Sequence, residues 1–227
     1  MSAQEDVTAR IVRDDPVGCA EAVSVLRDGG IVALPTDTVY GIAADLRVEG
    51  SIERLFHVKQ RPADKGVMLL LADSAQAADA GEMSPSATVA SAAFWPGGLT
   101  VVVPQLADRR LPEALTGGAK TIGLRVPNHP TPRAIASVVG PLPTTSANIS
   151  GQPEAATAEQ IAAQLGEVIE LILDGGPAPG GPASTVVDCS GDRARILRVG
   201  AIAVADIAAV LEAAGLELDP SLPAGSR

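Results

Sequence analysis

The chain has 227 residues, enough for one large domain whose core needs neither disulfides nor a structural metal. Its net charge of −10 and its three lysines argue against a general affinity for nucleic-acid backbone, which needs clustered cations. The two cysteines, Cys19 and Cys189, and the two histidines, His57 and His129, stand in no metal-ligand spacing, so a His/Cys metal site is not expected and a reducing, cytoplasmic setting is.

The N-terminal MSAQEDVTARIVRDD is charged and lacks an apolar signal core, and no run approaches the ~20 apolar residues of a membrane span. Residues 1–12 are expected to form a loose tail. Asp15 and Pro16 then read as N-cap and first position of a helix that stops at Gly29-Gly30. IVALP (31–35) is a short buried-type strand, TDTVYG (36–41) a polar turn, and GIAADL a second strand. A helix is predicted over 51–60, ended by RPADKG because Pro62 disfavours helix before it. VMLLLA (67–72) has the length and continuous apolarity of a central strand.

Residues 74–94 read as two short helices broken at Ser84-Pro85, and WPGG (95–98) as a turn. LTVVVP and TIGLRVP are strands, 130–139 a helix and 141–146 a strand. A helix over 156–166 leads to the strand IELILD. GGPAPGGPAS (175–184) is a glycine-rich loop, followed by the strands STVVDC and RILRVG and a last helix in AVADIAAVLEAAG. Residues 1–215 are expected to form one domain and 216–227 a tail. With 46% hydrophobic but only 2% aromatic residues, the core must be built from Ala, Val, Leu and Ile. Strand pairs without an intervening helix, at 99–126 and 184–199, predict an α/β fold with a mixed, largely antiparallel sheet.

No Walker or GxGxxG phosphate loop is present. Four polar segments nevertheless stand at the ends of apolar strands: PTDTVYG, KQRPADKG, TTSANISG and PAST. Lys59, Arg61 and Lys65 concentrate positive charge in one ten-residue stretch. Arg125 and Arg198 sit inside otherwise apolar strands, where an arginine needs an anionic partner or water for its head. Taken singly, each segment also fits a turn, a cap or a solvated helix end.

In order and spacing, PTDTVYG, KQRPADKG, WPGGLT, GLRVP, TSANISG, STVVD and ILRVG resemble the YrdC-like family of L-threonylcarbamoyladenylate synthases, over roughly residues 16–203. The resemblance implies a twisted sheet flanked by helices around a large, positively charged concave cavity. It implies an enzyme that joins ATP, L-threonine and bicarbonate and releases pyrophosphate, with Mg²⁺ accompanying the ATP. The product would pass to a tRNA-modifying transferase complex that completes N6-threonylcarbamoyladenosine at position 37 of tRNA.

Carried over residue by residue, Lys59 and Arg61 contact the triphosphate and serve catalysis, with Lys65 as a helper. Thr121, Ser146, Asn148 and Arg198 bind nucleotide. Thr38, Arg125, Ser146 and Ser184 bind threonine, Arg125 through the carboxylate. No metal-binding residues are implied. Leu70 stands where some relatives have a histidine, so no general base is evident and catalysis by positioning and charge is expected. Two other readings stay open. One is a tRNA-binding module without turnover, which the acidic, aromatic-poor composition limits to weak binding. The other is carbamoyl transfer, although the zinc-finger and acylphosphatase segments that accompany it elsewhere are not visible.

Overall fold

The computed structural model describes residues 8–62, 65–108 and 111–221. In chain order the elements are β1 (Arg10–Arg13), α1 (Pro16–Arg27), β2 (Val32–Leu34), β3 (Gly41–Ala43), α2 (Ser51–Lys59), β4 (Met68–Leu70), α3 (Ala75–Ala80), α4 (Pro85–Phe94) and β5 (Leu99–Pro104). They continue with α5 (Glu113–Thr116), β6 (Thr121–Arg125), α6 (Pro130–Val139), β7 (Leu142–Ser146), α7 (Ala158–Leu165), β8 (Leu171–Asp174), β9 (Thr185–Asp188), β10 (Ala194–Arg198), α8 (Val204–Ala213) and β11 (Leu218–Asp219).

Local chemistry sets the helix ends. The Asp15 carboxylate accepts from the Val17 and Gly18 amides, and Pro16 fills the first helical position. Ser84 caps α4 and Thr157 caps α7 in the same way. Gly29, at φ 82°, turns the chain out of α1 in a conformation that glycine adopts without strain.

The strands form one open sheet in the order β1-β8-β2-β3-β7-β4-β6-β5-β9-β10-β11. The sheet is mixed, as expected, but not largely antiparallel. Among the described residues the pairs β1-β8, β8-β2, β4-β6, β5-β9 and β10-β11 are parallel and the other five are antiparallel. The expected loose ends are also partly built in. Residues 10–13 pair with β8, and residues 218–219, inside the expected 216–227 tail, pair with β10.

Two apolar layers flank the sheet. The larger holds Ile42, Leu69, Val101, Leu124 and Val187 under α2, α4, α7 and α8. The smaller holds Leu26, Val32, Leu142 and Leu171 under α1 and α6. Aliphatic residues dominate both. Tyr40 is the one fully buried aromatic among the described residues, and its hydroxyl donates to the Gly176 carbonyl at 2.6 Å. No described helix is long and apolar enough to cross a membrane.

Candidate functional site

Residues paired across neighbouring strands share a face of the sheet. Met68 pairs with Gly123 and with Thr144, and Gly123 pairs with Val102, so all four face one way, while Leu69, Leu124 and Val101 face the larger core. The helices α1 and α6 cover the part of this face over β1, β8, β2, β3, β7 and the end of β4. Over β4, β6, β5 and β9 the face stays open and becomes the floor of a cavity of about 390 Å³. Thr38, Arg61, Thr121, Arg125, Ser146, Ser184 and Arg198 all line it. Seven residues spread over 160 positions of sequence are thus gathered by sheet topology.

The first cluster joins α2 to the turn after β7. The α2 helix ends at Gln60 in the left-handed region, φ 50°, which swings the chain toward the cavity. Lys59, 3% exposed, stays behind it. Its ammonium donates to the Ser146 carbonyl at 2.6 Å, the Ser146 hydroxyl at 3.0 Å and Asn148 Oδ1 at 2.5 Å. Ser146 Oγ in turn donates to Asn148 Oδ1 at 2.7 Å. Burial, reinforced by the Arg61 charge, pushes Lys59 down to about 8, against an opposing pull from Glu154. Arg61 reaches the cavity, with Nε on the Lys65 carbonyl at 2.7 Å and Nη2 on the Gly66 carbonyl at 2.6 Å.

The second cluster centres on Arg125, 3% exposed. It donates from Nε to the Gly97 carbonyl (2.9 Å), from Nη1 to Thr38 Oγ1 (3.0 Å) and from Nη2 to Asp37 Oδ1 (2.7 Å). A guanidinium has five N–H donors, so two remain for a ligand. Burial lowers the proton affinity of Arg125, and Asp37 opposes that while nearby Arg198 adds to it. The third cluster holds Arg198, whose Nε and Nη2 both donate to the Ser184 carbonyl at 3.0 and 2.8 Å. Its Nη2 also donates to Ser184 Oγ, which shares a 2.8 Å hydrogen bond with Thr100.

The predicted residues therefore converge, with three departures. Lys65 is exposed and does not line the cavity. Lys59 and Asn148 are not on its surface either, but stand directly behind Ser146. Leu70, which is not one of the predicted site residues, packs into the smaller core. Sequence reasoning missed Asp37, the anion that answers the buried Arg125. It also missed Glu154, the one acidic residue lining the cavity among the described residues. The TDT of PTDTVYG carried the first signal, since a buried arginine demands a counter-charge. Among the described residues no three His, Cys, Asp or Glu side chains gather to hold a metal.

The Sua5/YciO/YrdC family model, described as "Telomere recombination", matches residues 24–200. The chain is 36% identical over 208 residues to the threonylcarbamoyl-AMP synthase of Bacillus subtilis, covering 91% of this chain and 60% of the relative. It is 38% identical over 195 residues to the putative threonylcarbamoyl-AMP synthase of Mycobacterium leprae, covering 86% of this chain and 88% of the relative. Sua5 of Pyrococcus abyssi complexed with L-threonine superposes with a TM-score of 0.83 at 32% identity, over 94% of this chain and 62% of that one. This chain thus spans about 60% of the length of some relatives and most of the length of others. It belongs to the Sua5/YciO/YrdC family.

Proposed function

We propose that this protein makes L-threonylcarbamoyladenylate from ATP, L-threonine and bicarbonate, with release of pyrophosphate. The observation that carries the reading is the convergence of Arg61, Arg125 and Arg198 with the hydroxyls of Thr38, Ser146 and Ser184 on one polar cavity. The family membership and the L-threonine complex of the Pyrococcus abyssi relative support it.

In this reading the two spare N–H groups of Arg125 take the threonine carboxylate as a bidentate pair. Ser146 Oγ, its proton directed to Asn148, offers a lone pair to the threonine amine or hydroxyl. Bicarbonate takes up a proton and loses water to give CO₂, and the neutral amine adds to CO₂, releasing a proton and giving a carbamate. A carbamate oxygen attacks the α-phosphorus, and the bond to the bridging oxygen breaks as pyrophosphate leaves with its electron pair. Arg61 and Arg198 face the charge that builds on the departing phosphates. The ionisable side chains lining the cavity, among the described residues, are three arginines and Glu154. Catalysis accordingly rests on positioning and charge.

The lining offers one carboxylate, Glu154, and several hydroxyls, a sparse oxygen set compatible with an Mg²⁺ that takes few protein ligands. The ion would offset triphosphate charge when bound. The product is a reactive mixed anhydride, and its consumer is an acyl transferase acting on tRNA.

Mass spectrometry after incubation with ATP, Mg²⁺, L-threonine and bicarbonate should show the adenylate and pyrophosphate in equal amounts. Arg61→Ala should lower turnover more than ~10-fold, about 1.4 kcal/mol of barrier. A folded wild type that forms no adenylate, yet binds tRNA in a salt-sensitive way, would replace this reading with that of a binding module.

A further inference from the structure

An anion-binding cavity has an evident reason to hold arginines and none to hold a carboxylate. Glu154 nevertheless lines it, together with Arg61, Arg125 and Arg198. It takes part in none of the ion pairs among the described residues. Its charge is near enough to strengthen the hold of both Lys59 and Arg198 on their protons.

The backbone fixes it there. Ala155, the next residue, is 4% exposed and belongs to the larger core. The Ala156 carbonyl accepts from the Ala178 amide at 2.7 Å, which ties this segment to the glycine-rich loop. On the other side, the Gln152 carbonyl accepts from Asn148 Nδ2 at 2.6 Å. The backbone of Glu154 thus stands between two anchored neighbours at the edge of the cavity.

We infer that Glu154 is a protein ligand, direct or through one water, for the Mg²⁺ that accompanies the triphosphate. This rests on the nucleotide reading above. Mg²⁺ is held in nucleotide sites by one or two carboxylates together with phosphate oxygens and waters, and this cavity supplies one such carboxylate. Against bare ATP, which brings about four negative charges, the same carboxylate is repulsive. Its sign of action therefore depends on whether the metal is present.

That reversal gives the test. ATP is titrated by calorimetry into wild type and Glu154→Gln without threonine, so that no turnover occurs, in excess Mg²⁺ and again in EDTA. Gln keeps the size of an exposed side chain, and circular dichroism checks the fold of each protein. The expected result is opposite shifts: the variant binds Mg-ATP roughly 5-fold more weakly and bare ATP roughly 5-fold more tightly. Shifts of the same sign, or no shift in either condition, overturn the assignment while leaving the nucleotide reading intact. A folded wild type that binds ATP in neither condition overturns the nucleotide reading and this inference with it.

Discussion

Asp37→Asn tests the most buried charge in the cavity wall. The substitution keeps the size of the side chain and removes its charge. Arg125 is 3% exposed, and the side chain of Asp37, 2.7 Å away, is 16% exposed. Breaking a buried ion pair by removing one partner costs about 3–5 kcal/mol, because the other charge is left desolvated. Two features reduce that here. Arg125 keeps its bonds to Gly97 and Thr38, and Asp37 already has partial access to water. Arg198 acts in the other direction, since its repulsion of Arg125 would no longer be answered. A loss of about 2–3 kcal/mol follows, or roughly 4–12 °C in Tm for a chain of this size. Urea denaturation at neutral pH, followed by circular dichroism, measures it. A loss below about 0.5 kcal/mol would mean that Arg125 finds water or another partner, and the pair would then not be what holds it in place.

Two further outcomes follow from the geometry. Lys59 loses its proton near 8 in the folded protein, while the unfolded side chain holds on until about 10.5. Unfolding between those values takes up a proton, so stability contributed through Lys59 rises with pH across that window. The stability of wild type minus that of Lys59→Met should therefore increase from about pH 7.5 to 9.5; parallel curves would refute the buried ammonium. In Gly200→Ala the new Cβ would lie 2.2 Å from the Ala183 carbonyl oxygen and 2.5 Å from the Ser184 carbonyl carbon. It should cost upwards of about 2 kcal/mol in urea denaturation and reduce activity by displacing Ser184 from Arg198; an unchanged Tm would show that the backbone yields there freely.

The elements legible in the sequence are those whose cause is local. Asp15-Pro16, Ser84-Pro85 and the apolar run at 67–72 carry their own boundaries, and α1, α4 and β4 lie where these signals put them. The unread elements have causes elsewhere. Residues 10–13 read RIVR and have no strand signature. They are extended because β8, more than 150 residues away, offers an edge. Residues 218–219 and the four-residue α5 are too short for any period to register.

The excess of antiparallel pairing was overread for the same reason. A hairpin such as β9-β10 is visible as neighbouring strands. The expected helix-free connection at 99–126 in fact holds α5, and β4-β6 and β5-β9 join strands that sequence order separates. At the site, residue types and order singled out Thr38, Arg61, Thr121, Arg125, Ser146, Ser184 and Arg198, which line one cavity. The inward turn of Lys59 onto Ser146 and Asn148, and the pairing of Asp37 with Arg125, are tertiary facts spanning 87 to 89 residues.

The half-covered sheet has an evolutionary consequence. Along β6, Leu124 holds the larger core, while Gly123 and Arg125 on either side of it look into the cavity. Along β5, Val101 and Val103 alternate with Thr100 and Val102 in the same manner. Selection for a new ligand can therefore act on every second codon of these strands while the intervening ones stay under selection for folding alone. A lineage built on this plan can change what it recognises without dismantling what keeps it folded.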